Sequence, residues 1–135
     1  MTNFQQSLLQ TSERIAVIEP SKALELLGGE GVCFVDLRDG YEIEQYGRIP
    51  GSRHCPRGSL EFRIPHDSEY HSPFFSQSER FVFYCSHGQR SILAVDTAQR
   101  FGLHNVCHIK GGMIAWVQAG GAIEKAEKRL GVRHE

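Results

Sequence analysis

The chain has little of what would mark several common protein classes. It has no apolar run approaching the ~18 residues of a membrane span, and no apolar signal core within Met1–Glu13, so export is not expected. Lys plus Arg is 15 and Asp plus Glu 16, for a formal net charge of −1. That removes the simplest argument for nucleic-acid binding, a strongly basic domain. There is no internal repeat, no low-complexity tract and no Cys-x-x-Cys pair. Nothing has the paired spacing of a structural zinc site, and adjacent pairs such as His54-Cys55 and Cys107-His108 point to opposite strand faces. No metal is expected.

What is present is an ordinary globular composition. The 135 residues suffice for one domain with a real core, and 40% are hydrophobic against 23% charged. The four cysteines, Cys33, Cys55, Cys85 and Cys107, are not needed as disulfides in a core of this size. They read as reduced thiols of a cytoplasmic protein, with at least one held for chemistry. Cys33 and Cys107 sit in apolar strands, whereas Cys55 is expected to be partly exposed.

Short apolar runs alternate with helical patterns. Strands are expected at Ile15–Ile18, Val32–Val35, His54–Cys55, Arg80–Tyr84 and Val106–Ile109. Helices are expected from Pro20 to Leu27, Tyr41 to Tyr46, Ile92 to Phe101 and Gly112 to Gln118. The third of these presents Leu93, Ala94, Thr97, Ala98 and Phe101 on one face. Arg57 to Glu79 reads as a long irregular insert. This order predicts an α/β fold: a five-stranded, mostly parallel sheet with helices on both faces. Residues 1–14 are expected to form a helical extension, 15–123 the domain, and 124–135 a charged tail with Ile123, Ala126 and Leu130 at helical spacing. In such sheets ligands bind beyond the carboxyl ends of the strands.

The sharpest feature there is Cys85-Ser86-His87-Gly88-Gln89-Arg90-Ser91, which follows the most apolar strand and opens a helix. A loop wrapping onto a helix N-terminus aims backbone N–H groups at one point, where the helix dipole also favours negative charge. A cysteine there is stabilised as the nucleophilic thiolate. Gly88 permits the tight turn, Arg90 adds a permanent positive charge, and Ser91 either caps the helix or donates into the cradle. His87 is a candidate donor to an anionic substrate. Nearby, Arg38 follows the second strand at the same sheet edge. It either raises the local positive potential, with Asp36 orienting it, or ties neighbouring loops together through Asp36. Arg48, Arg53 and Arg57 lie in a stretch without an acid, and Arg57 is the best of them for steering an anion, because it opens an insert able to fold over the loop.

These elements together resemble the single-domain rhodaneses, a family of sulfurtransferases. The likeness spans roughly Ile15 to Ile123. It is carried by Asp36-Leu37-Arg38, by Tyr46-Gly47-Arg48-Ile49-Pro50-Gly51-Ser52 against the family's G-H-I-P-G-A segment, by Tyr84-Cys85 with its loop, and by Gly111-Gly112 before Trp116. Arg48 stands where many members have His, and Ser52 where Ala is usual. The insert is longer than in the smallest members.

The resemblance implies ping-pong sulfur transfer that requires no metal and no organic cofactor. The Cys85 thiolate takes the sulfane sulfur of a donor such as thiosulfate or a persulfide, and passes it to a thiol or cyanide. Cys85 and Arg90 are then the catalytic candidates. Ser86, His87, Gly88, Gln89, Ser91, Arg38 and Arg57 are the substrate-binding candidates, and Asp36 is supporting. The partners are small molecules, with no nucleic acid or membrane, and the expected state is a monomer or weak homodimer. Two rivals remain. A cysteine phosphatase or arsenate reductase uses a similar cradle but typically has one more residue between Cys and Arg than the four found here. A non-catalytic rhodanese-like binding module commonly lacks the cysteine.

Overall fold

The computed structural model describes residues 3–125. Five strands, β1 (Ala16–Ile18), β2 (Val32–Asp36), β3 (Arg53–His54), β4 (Arg80–Tyr84) and β5 (Val106–Ile109), form one sheet in the order β1-β5-β4-β2-β3. All four pairings are parallel. Six helices accompany them: α1 (Phe4–Arg14), α2 (Pro20–Leu26), α3 (Gly40–Tyr46), α4 (Leu60–Arg63), α5 (Arg90–Arg100) and α6 (Gly112–Gln118).

Alternation along the strands divides the core in two. On β4, Phe81 and Phe83 join Val35, Ala94, Val95 and Ala98 on the α5 side, while Val82 and Tyr84 join Phe34, Ile109, Met113 and Trp116 on the α6 side. Because β4 and β5 are buried on both faces, they read as continuous apolar runs. Cys85 continues the phase of Phe81 and Phe83 and so turns towards α5.

Three expectations need correction. The helix after the loop begins at Arg90, two residues earlier than expected, and its buried positions are Ser91, Ala94, Val95 and Ala98. Phe101, assigned to the buried face, is its exposed C-cap, beyond the last helical residue, and Val95 is buried instead. The insert is also not irregular: 3₁₀ turns at Arg57–Ser59 and Pro73–Ser76 flank α4. Turns this short offer no periodicity to read. They are held by Leu60, Ile64 and Phe75, which fill the α5-side core rather than cover the loop. Cys55, expected to be partly exposed, is fully buried there too.

Helix α1 docks on α5 through Leu8 and through an Arg14–Asp96 ion pair. Ala126 and Leu130 of the expected tail pattern lie outside the described residues. Glu124 pairs with Arg48 through both backbone and side chain. Among the described residues, no helix is long and apolar enough to cross a membrane.

Candidate active site

The loop Cys85–Gln89 joins the end of β4 to the start of α5. The Gly88 N–H donates to Cys85 Sγ at 3.2 Å. Gly88 has φ +93°, and a Cβ there would lie 2.9 Å from the Gly111 nitrogen. The opposite side of the loop is clamped by α6, where Met113 N–H donates to the Cys85 carbonyl and Ile114 N–H to that of Ser86. That close approach is why glycines occupy the N-cap and the first position of α6. A Cβ on Gly112 would meet the Cys85 carbonyl oxygen at 2.5 Å. With these carbonyls turned to α6, the loop is free to present N–H groups to the sulfur.

The Cys85 side chain is 1% exposed and touches Ser91 Oγ at 3.6 Å. Ser91 does not cap α5. Its hydroxyl lies between Cys85 and His108, whose Nδ1 is 2.9 Å away. Burial holds the His108 imidazole well below its usual range, at about 4. Burial also pushes the thiols of Cys33, Cys55 and Cys107 up, which disfavours their thiolates.

Arg90 is at the loop's end but its guanidinium turns to α3. Both terminal nitrogens donate to the Glu42 carboxylate at 2.9 Å. The Ser86 hydroxyl donates to Glu42 Oε2 at 2.9 Å and accepts from Arg90 at 3.3 Å. The hydrogen bonds from Arg90, above all, lower the Glu42 carboxyl to about 2, and the pairing raises Arg90 further above its already high value. His87 and Gln89 are exposed. Ser86 and His87 line a cleft of about 720 Å³ beside the loop, whose other walls are α3 and α6, including Tyr41, Met113 and Val117.

Of the two arginines outside the loop, Arg38 stands in the wall of the cleft and Arg57 stands apart from it. Arg38 is 1% exposed. It donates to both carboxylate oxygens of Asp36 and to the Gly47 carbonyl. Its guanidinium is committed to anchoring the Gly47–Ser52 turn, which is the loop-tying alternative. Tyr84 secures the same turn by accepting from Ile49 N–H and donating to the Ser52 hydroxyl, a partner that alanine would not supply. Arg57 pairs with Glu61 and with Thr97 Oγ1, two turns along α5 from the loop, and does not line the cleft. Its nearest acid lies beyond the acid-free stretch, one helical turn away, so the patch is already compensated.

Sequence reasoning missed Glu42 and His108. Asp39-Gly40-Tyr41-Glu42 does contain a capping signal, and Glu42 Oε1 accepts from the Asp39 N–H. Nothing local announces its reach to residue 90. His108 shares its strand phase with Val106, but only the sheet order brings it to Ser91.

A family model described as a rhodanese-like domain matches residues 19–119. A mouse thiosulfate sulfurtransferase/rhodanese-like domain-containing protein is 35% identical over 107 residues, which are 76% of this chain and 68% of that protein. The thiosulfate sulfurtransferase GlpE of Actinobacillus pleuropneumoniae is 29% identical over 85% of this chain and 98% of its own. A solved structure from Rhodopseudomonas palustris, described as of unknown function and a possible tyrosine phosphatase, is 44% identical. It matches with a TM-score of 0.87 over 92% of this chain and 96% of that one.

Proposed function

Since the chain belongs to the rhodanese-like family, we propose that it is a sulfurtransferase that carries sulfane sulfur on Cys85 as a persulfide. The thiolate of Cys85 attacks the outer sulfur of a donor such as thiosulfate. One sulfur–sulfur bond forms, the donor's own breaks, and sulfite leaves with the electron pair. An acceptor nucleophile, a thiol or cyanide, then attacks the outer sulfur and the Cys85 thiolate is released. No net redox equivalent is needed.

The observation that carries this reading is the Gly88 N–H on Cys85 Sγ at the mouth of α5. A fixed N–H donor aimed at Cys85 Sγ stabilises the thiolate that attacks the sulfur donor and is released again to the acceptor, without reorganisation. Arg90 serves indirectly, by holding Glu42 and Ser86 and so keeping the loop in place. Ser86 and His87 face the cleft by which donor and acceptor approach, while Arg38, Asp36 and Arg57 support the scaffold. The apolar walls of that cleft favour an acceptor larger than cyanide.

Phosphate-ester hydrolysis, suggested by the words attached to the Rhodopseudomonas structure, is less well served. Four residues separate Cys85 from Arg90, and that arginine is turned onto Glu42 instead of the cysteine. The test is a parallel assay with thiosulfate plus cyanide and with an aryl phosphate, on the native chain and on Cys85→Ser. Sulfur transfer that vanishes in Cys85→Ser is expected. Cys85-dependent phosphate hydrolysis with no transfer from any sulfur donor would replace this reading with the phosphatase one.

A further inference from the structure

His108 has no place in the chemistry described so far, yet it is one of the few polar side chains inside the core, at 2% exposed. It stands in β5 between Val17 and Phe83 on the flanking strands. One ring nitrogen, Nδ1, is 2.9 Å from Ser91 Oγ. The other, Nε2, is buried and has no hydrogen-bond partner among the described residues. Ser91 Oγ in turn is 3.6 Å from Cys85 Sγ.

Ser91 has a single hydroxyl hydrogen, so the tautomer of His108 decides where it points. If Nε2 carried the proton, an N–H would be buried without an acceptor, an arrangement native structures avoid. Nδ1 would then take the Ser91 hydrogen, and Ser91 would turn lone pairs towards the sulfur. If Nδ1 carries the proton, it donates to Ser91 Oγ and only a bare lone pair is left on Nε2. The Ser91 O–H is then free to donate to the sulfur.

Resting on Cys85 as the sulfur carrier, we infer that His108 is a positioning residue: as the Nδ1–H tautomer it turns the Ser91 hydroxyl onto Cys85 Sγ and stabilises the anionic sulfur. The imidazole never touches substrate. It stays neutral near pH 7, consistent with the effect of burial on it, and transfers no proton. Through it the Ser91 O–H becomes a second donor to the sulfur, besides the Gly88 N–H. Among the described residues, the other ionisable groups around the loop include Arg90 and Glu42, which bind each other, Asp39 beside that pair, Arg38 bound to Asp36 in the cleft wall, and exposed His87.

Two measurements test this, and neither depends on sulfur transfer. Long-range ¹⁵N–¹H correlation spectra of the native chain should report protonated Nδ1 and bare Nε2 for His108. The reverse tautomer overturns the inference. Second, the pH midpoint of Cys85 alkylation by iodoacetamide should rise by about one unit in Ser91→Ala and in His108→Phe, a ~10-fold loss of thiolate at fixed pH below the midpoint. The double variant should rise no further, because His108 acts through Ser91. His108→Asn, whose side-chain amide donates from nearly the same position, should keep the native midpoint. An unchanged midpoint in folded His108→Phe, or shifts that add in the double variant, overturns the inference. Should Cys85→Ser retain full sulfur transfer, the functional reading fails while the tautomer and alkylation results still stand.

Discussion

Arg90 and Glu42 join the two ends of the site. Two 2.9 Å hydrogen bonds tie the first residue of α5 to the first turn of α3, 48 positions earlier in the chain. With Ser86 on the same carboxylate, the pair fixes the outer rim of the loop. The positive charge beside Cys85 is thus a strut more than a substrate clamp.

Removing either partner should therefore loosen the loop in the same way. Arg90→Ala and Glu42→Gln are each expected to cost ~1–2 kcal/mol, between the ranges for exposed and buried ion pairs. Both should lower sulfur transfer by a larger factor than this loss of folding stability would produce. A double-mutant cycle on turnover should show strong coupling, and independent effects would return Arg90 to a direct role on the donor.

The glycines against the loop should tolerate nothing larger. Gly112 has φ +65°, and its Cβ would fall 2.5 Å from the Cys85 carbonyl oxygen. Gly112→Ala should destabilise by well over ~1 kcal/mol and displace the Gly88 N–H from the sulfur. Chemical denaturation and the Cys85 alkylation rate measure the two effects. Gly58→Ala is the control, since a Cβ there meets nothing within 4 Å.

Acid should act through two groups. The folded state holds His108 near 4 against 6.5, so the unfolded chain binds that proton first. Stability is lost as pH falls from 6.5 towards 4, by roughly 3 kcal/mol in all. Glu42, lowered from 4.5 to about 2, contributes stability above pH 4.5 that disappears as pH falls through 2. Urea midpoints between pH 7 and 4 should flatten in His108→Asn. A slope as steep as the native one would remove His108 as its source.

Only Cys85 should gain mass as a persulfide after treatment with thiosulfate. All four thiols are buried, but burial pushes those of Cys33, Cys55 and Cys107 up, and only Cys85 has a loop N–H on its sulfur. Intact mass should show one added sulfur atom in the native chain and none in Cys85→Ser. Cys107→Ala should retain the gain and cost about 1 kcal/mol of stability.

Arg57→Ala should leave the apparent KM for thiosulfate unchanged, because Arg57 binds Glu61 and Thr97 outside the cleft. A KM that rises and recovers in high salt would restore Arg57 as a steering charge.

The order of elements and the chemistry of the loop are written in consecutive residues. Apolar runs such as Phe81-Val82-Phe83-Tyr84 specify strands by local pattern, and Cys85 to Ser91 puts a thiol, a glycine and a helix start within one turn of chain. Both are local, so the sequence alone determines them. The short turns of the insert escaped because three or four residues have no period to detect. What only the tertiary structure decided is where the charges go. Arg38 is equally able to face a ligand or Asp36, and Arg90 to face Cys85 or Glu42. The fold resolves each choice: Arg38, taken out of water, pairs with Asp36 two residues before it, while Arg90, still partly exposed, reaches the largely buried Glu42. Glu42, 48 positions from Arg90, and His108, 17 from Ser91, arrive through the parallel strand order β1-β5-β4-β2-β3, which leaves no local signature.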